Sequence, residues 1–181
     1  MRQIRKNVFE TNSSSTHSIC ISKAPVTHMY KIHFHIGKFG WANDCVDTPD
    51  YLYTAILEQG NADELLEQLK DILDRHSIEY EFEEPNYGTS SDGRYKWLEY
   101  GYVDHAYETR EFIDAVLTDE DLLMRCLFGN GSCVYTGNDN QDDDPSGCNI
   151  ADAVYYDWDA EEEKPNPYHD PEHYDYFYKG N

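Results

Sequence analysis

The sequence predicts an α+β fold: a mixed or antiparallel sheet with several short helices and an acidic, Tyr-rich C-terminal segment. Three observations carry this. Residues 31–36 and 77–83 alternate apolar and polar side chains with a period of two, residues 61–73 carry a helical stripe, and strands and helices come in blocks rather than in strict alternation.

In chain order, His17 to Ser22 is rich in small and β-branched residues and reads as a strand. Ile32, Phe34 and Ile36 face one way and Lys31, His33 and His35 the other, a second strand expected to follow the first through Ala24, Pro25 and Val26. Thr48 before Pro49 reads as a helix cap with proline at the first helical position, and Tyr51, Leu52, Ala55 and Ile56 recur at helical spacing up to Gly60. Asn61 with Glu64 resembles a capping box for a second helix striped by Leu65, Leu66, Leu69, Ile72 and Leu73. Ile78, Tyr80 and Phe82 then alternate with Glu79, Glu81 and Glu83, a strand with one wet acidic face.

Residues 86–93 read as a turn-rich loop and the aromatic run 94–103 as a strand. Thr109 is expected to cap a helix through Leu117, and Thr118 with Asp119, Glu120 and Asp121 to open another that Gly129 stops. A short strand over 132–136, an acidic turn segment over 137–147 and a last strand over 150–158 complete the domain. The expected organisation is one domain over 1–158 and a partly ordered acidic Tyr/Pro-rich tail over 159–181.

The chain has 181 residues, 36 Asp and Glu against 14 Lys and Arg, and a formal net charge of -22. Direct nucleic-acid binding over a broad face needs cations that replace condensed counterions, so this balance argues against it. The charge is also uneven: residues 1–40 carry six Lys and Arg against Glu10 alone, whereas residues 139–181 carry thirteen acids against Lys164 and Lys179. Either the basic part is neutralised inside the fold by the acidic part or it is kept for an anionic ligand. Sixteen Tyr argue for a folded chain, since disordered acidic chains are poor in aromatics. No apolar stretch reaches the roughly 18 residues of a membrane helix and no secretory core follows the N-terminus, so no membrane partner and a cytoplasmic location are expected. Five widely spaced Cys, without a CxxC pair, read as reduced and mostly buried thiols.

Two groups of residues are candidate sites. Ser13, Ser14, Ser15, Thr16 and His17, in a polar run opened by Asn12 and with Arg2, Arg5 and Lys6 nearby, could offer hydroxyls and N–H groups to a phosphate. The second group is acid with tyrosine. Asp142, Asp143, Asp144, Glu161, Glu162 and Glu163 offer fixed negative charge to a basic partner, and Tyr174, Tyr176 and Tyr178 add rigid contact area. A calcium loop begun at Asp139 would need Gly at position 144 and Glu at 150, where Asp144 and Ile150 stand. No zinc spacing, Walker loop, GxGxxG, HExxH or GxSxG is present, so neither metal, cofactor nor catalytic residue is expected.

The opening Arg5-Lys6-Asn7-Val8-Phe9-Glu10-Thr11-Asn12-Ser13-Ser14-Ser15-Thr16-His17-Ser18-Ile19, with Leu127-Phe128-Gly129 and Thr136-Gly137-Asn138-Asp139-Asn140, resembles a family of small phage and prophage proteins of Firmicutes. Some similar acidic chains act as anti-CRISPR inhibitors of type II RNA-guided nucleases. The resemblance covers short segments and carries no catalytic role onto Ser13, Ser14, Ser15, Thr16 or His17. What it implies is a phage-encoded, non-enzymatic inhibitor in the cytoplasm of a bacterial host, whose partner is a CRISPR effector nuclease with its guide RNA. The charge fits: such nucleases hold their heteroduplex in a positively charged channel, for which an acidic protein competes by DNA mimicry. The alternative reading is a phosphate- or nucleotide-binding protein or enzyme built on the run from Asn12 to His17.

Overall fold

The computed structural model describes residues 15–40, 44–138, 154–157, 160–166 and 169–179. The fold is α+β, with helices packed on one face of a four-stranded antiparallel sheet. That sheet runs in the order β12 (Tyr174–Lys179), β1 (Ser15–Ser22), β9 (Cys133–Asn138), β4 (Asp44–Val46). Strand β1 is central and buried along nearly its whole length, which explains a strand of small and apolar residues without clean alternation.

The register assigns the two faces. His17, Ile19 and Ile21 share a face with Thr136, Val134, Phe177 and Lys179, whereas Ser18 and Cys20 share the other with Cys133, Tyr176 and Tyr178. The first face meets the helices. Phe177 packs edge-on against Phe112 with ring centroids 5.6 Å apart.

Helix α1 (Thr48–Leu57) lies under this sheet and is buried on every side from Tyr51 to Leu57, wider than the single face its spacing predicts. Its polar atoms are all used: the Tyr53 hydroxyl donates to the Glu83 carbonyl at 2.6 Å, and Thr54 Oγ1 accepts from the Gly37 N–H and donates to the Asp50 carbonyl. Asp47, not Thr48, occupies the N-cap position, and the Thr48 hydroxyl donates to the Cys126 carbonyl of α4 (Glu120–Phe128). Helix α2 (Ala62–Arg75) buries Leu65, Leu69, Ile72 and Leu73, the stripe its period predicts. Asn61 and Glu64 bond to each other through their side chains at 3.2 Å instead of to backbone N–H groups, so the expected capping box is not made.

The two helices form the crossover that allows β2 (Ile32–Phe34) to pair in parallel with β5 (Tyr80–Phe82). Strand β2 therefore does not pair with β1, although the two follow each other in sequence. Phe34 stacks on Phe82 at 4.6 Å and meets Tyr53 at 5.9 Å, which gives this small sheet its core. A second parallel pair joins β3 (Lys38–Phe39) to β8 (Tyr102–Val103). The expected loop at 86–93 contains β6 (Tyr87–Thr89), which forms a hairpin with β7 (Lys96–Leu98). The tip is closed by Asp92, whose Oδ1 accepts from the Ser90 hydroxyl and the Arg94 N–H, and by Gly93 at a φ of 70°.

Helix α3 (Arg110–Thr118) follows a 3-10 turn, and the hydroxyl of Thr109, its expected cap, donates back to Ala106 at 2.7 Å. Asp119, rather than Thr118, caps α4 by accepting from the Leu122 N–H at 3.0 Å. Strands β10 (Val154–Asp157) and β11 (Glu162–Pro165) form an antiparallel ribbon. Strand β12 lies beyond the expected boundary at residue 158 yet pairs with the central strand of the main sheet over six residues, so the chain's last described stretch is part of the domain. Among the described residues no helix is long and apolar enough to cross a membrane.

Candidate functional site

Ser15, Thr16 and His17 open strand β1 rather than forming a loop, and Ser13 and Ser14 lie outside the described residues. Ser15 and His17 point inward and are both 0% exposed. The Ser15 hydroxyl donates to Asp104 Oδ2 at 2.6 Å and accepts from Lys179 Nζ at 2.6 Å, and the same ammonium donates to the Ser15 carbonyl at 2.8 Å. His17 Nε2 lies 3.3 Å from the Gly40 carbonyl, which can only accept, so this nitrogen carries the proton and Nδ1 accepts from the Tyr51 hydroxyl at 2.8 Å.

Burial and then the charge of Lys179 push the His17 pKa down to about 3 from its ordinary value near 6.5, which keeps the imidazole neutral. Burial also lowers the Lys179 pKa, while Asp104 and Glu108 oppose the shift. Lys179 Nζ is committed as a donor to Ser15, and the hydroxyl proton of Ser15 is already given to Asp104. The cluster ties the start of β1 and the end of β12 to the residue after β8. Its hydroxyl and imidazole are committed internally rather than presented to a phosphate.

Of the acid and tyrosine group, Asp142, Asp143 and Asp144 lie outside the described residues. Glu161, Glu162 and Glu163 are exposed, Glu161 at the turn before β11 and the other two on the strand. Tyr174, Tyr176 and Tyr178 share the outer face of β12, as their spacing of two requires. Tyr174 and Tyr176 are half-buried; the Tyr176 hydroxyl lies 3.2 Å from that of Ser18, and its ring meets His169 at 4.1 Å. Tyr178 is 51% exposed and so is the one of the three that remains largely open.

Two of the basic residues of the N-terminal third are paired within the fold, while Arg2, Arg5 and Lys6 lie outside the described residues. Lys23 pairs with Asp175 at 3.2 Å, and Lys31 pairs with Glu81. Burial disfavours the Asp175 carboxylate, but Arg125 at 2.7 Å and Lys23 outweigh it and hold its pKa below the usual range.

A face within the aromatic run 94–103, expected only as a strand, and the turn after it stands out instead. Between residues 95 and 107 lie five exposed aromatics: Tyr95, Trp97, Tyr100, Tyr102 and Tyr107. Trp97 lies directly opposite Gly88, where a Cβ would come within 2.4 Å of the indole, so the missing side chain is what lets the ring lie flat across the hairpin. Beside it, a cleft of about 620 Å³ runs between the hairpin and the turn joining α1 to α2. Its walls carry the rings of Tyr87 and Trp97 and the carboxylates of Glu58, Asp63 and Glu64. Glu58 Oε2 accepts from the Val103 N–H at 2.5 Å, yet burial raises its pKa. The protein's own Lys96 sits 3.7 Å over the Tyr87 ring and occupies its face, leaving Trp97 as the open ring of the cleft. The available signal in the sequence was the aromatic density of 94–103, with Tyr and Trp where a covered strand would carry aliphatics.

A second cleft, of about 580 Å³, is lined by His33 and His35. Each imidazole has a carboxylate neighbour, Glu81 at 3.0 Å and Asp50 at 3.4 Å, and both rings are exposed as their strand face predicts. Among the described residues no group of three or more His, Cys, Asp or Glu is placed to hold a metal ion. No protein-family model, no curated protein and no solved structure matches the chain.

Proposed function

We propose that this chain is a non-enzymatic inhibitor that binds a basic, nucleic-acid-handling protein and blocks its access to DNA. The observation that carries the reading is the exposed aromatic run of Tyr95, Trp97 and Tyr100 beside the Glu58, Asp63 and Glu64 cleft, on a chain with a net charge of -22. Aromatic anchors dominate protein interfaces because they bury much area at small entropic cost, and fixed carboxylates select a basic partner and speed its encounter. The resemblance of the opening residues to phage proteins with anti-CRISPR relatives makes a guide-loaded type II nuclease in a bacterial cytoplasm the first partner to test. Glu161, Glu162, Glu163 and Tyr178 are further exposed candidates for contact with the partner, and Asp142, Asp143 and Asp144 lie outside the described residues.

Complex formation with the guide-loaded nuclease, and DNA cleavage by it, should be measured at two salt concentrations. The expected result is a complex that inhibits cleavage and weakens as salt rises. The double variant Tyr95→Ser with Tyr100→Ser should reduce affinity at least tenfold, roughly 1.4 kcal/mol, without lowering Tm, because both side chains are about two-thirds exposed. A complex indifferent to this pair and to reversal of Asp63, Glu64 and Glu161 to Glu163 would overturn the proposed face. Failure to bind any such nuclease would overturn the inhibitor reading.

A further inference from the structure

Three cysteines far apart in sequence come together on the outer face of the main sheet. Cys20 on β1 and Cys133 on β9 are direct partners across the antiparallel pair, so their side chains leave the same face. Cys45 on β4 is in register with Tyr135 and stands one diagonal step from Cys133. Both Cys20 and Cys45 lie near enough to the Cys133 thiol to act on its ionisation. Cys20 is buried, Cys133 half-buried and Cys45 exposed, so the cluster runs from the core outward to solvent, and all three thiols are free.

We propose that this cluster is an oxidative modification site at which a hydroperoxide converts Cys133 and Cys20 into a cross-strand disulfide. Direct antiparallel partners have Cα atoms about 4.5–5.5 Å apart, inside the roughly 4.4–6.8 Å that a disulfide spans. The diagonal from Cys45 is about 7–8 Å, which a bridge meets only if the backbone moves. Geometry therefore selects Cys20 as the partner of Cys133 and leaves Cys45 as a supporting thiol. The electrostatics agree: donation from Cys20, then from Cys45, lowers the Cys133 pKa against the opposing effect of burial, whereas Cys20 is held as the neutral thiol.

The chemistry balances. The Cys133 thiolate attacks one oxygen of hydrogen peroxide, forming an S–O bond and breaking the O–O bond; the departing hydroxide takes a proton and leaves as water. Cys133 is then a sulfenic acid. The Cys20 sulfur, losing its proton, attacks the Cys133 sulfur; the S–S bond forms, the S–O bond breaks and a second water leaves. Two thiols lose two electrons in all, and the peroxide is reduced to two waters.

The test uses the full-length folded protein, treated with stoichiometric hydrogen peroxide, alkylated and mapped by mass spectrometry. The expected product is a peptide pair linked through Cys20 and Cys133, with two fewer alkylatable thiols and a Tm higher by about 10 °C that dithiothreitol reverses. On the untreated protein, iodoacetamide should label Cys133 faster than the buried Cys126, with a pH midpoint below that of an ordinary thiol. Cys45→Ser, which keeps a donor, should preserve that midpoint, and Cys45→Ala should raise it. A disulfide that contains Cys45 or Cys148, an intermolecular product, oxidation that stops at a sulfonic acid on Cys133, or labelling of Cys133 no faster than Cys126 would each overturn the site.

Discussion

His17 is where burial, charge and pH meet in this fold. Its imidazole faces Tyr51, Lys179, Asp104 and His105, and its folded pKa of about 3 lies below the ordinary value near 6.5. The unfolded chain therefore takes up a proton below pH 6.5 that the folded chain refuses until about pH 3. The contribution of His17 to stability is complete above pH 6.5 and is lost as the pH falls from 6.5 towards 3, on the order of 5 kcal/mol in all. Replacing it by glutamine keeps a donor and an acceptor but removes the titration. Urea unfolding of the protein and of His17→Gln at pH 7 and pH 4 should show a stability difference that shifts by several kcal/mol in favour of the variant at pH 4. A difference equal at the two pH values would mean that His17 is not held neutral. The polar run that contains His17 was legible in the sequence, but the direction of its side chains was not, because that depends on which face of β1 the helices cover.

At the scale of elements, the hairpin of β6 and β7 decides the shape of the proposed binding face. Trp97 rests on a position without a Cβ, and Gly88→Ala would place a methyl group 2.4 Å from the indole. The expected cost is about 1–3 kcal/mol, together with a displaced Trp97. Thermal unfolding and the Trp fluorescence maximum check both, and an unchanged spectrum with unchanged Tm would show that the ring does not depend on the glycine. Helix α2 was legible in advance because its apolar stripe is local, and α4 nearly so, with the cap moved from Thr118 to Asp119. Strand β6 was not legible: Tyr87, Gly88 and Thr89 carry turn-like composition and become a strand only because β7 pairs with them. Pairing of β2 with β5 was hidden for the same reason, since two helices separate the partners in sequence.

For the whole molecule, the net charge of -22 acts in two opposite directions. Within the chain, like charges repel, so raising the salt concentration should raise Tm by a few degrees. Towards a basic partner the same charge attracts, so the same salt should weaken the complex and slow its formation most. Differential scanning fluorimetry and stopped-flow association over one salt series test both signs together. If Tm falls with salt, the internal pairs of Lys23, Lys31, Arg75 and Arg125 with carboxylates outweigh the general repulsion.

Composition and periodicity alone determined the α+β class, the α2 stripe and the acid surplus, because each depends on residue content or on neighbours within one turn or one strand. Tertiary structure alone decided that the end of the chain closes the main sheet, that Cys20, Cys45 and Cys133 meet, and that Lys179 reaches Ser15 across the chain's length. These are contacts between residues tens to more than a hundred positions apart. No local period encodes them; they follow from the burial of apolar faces against one another and from the strand registers that this burial selects.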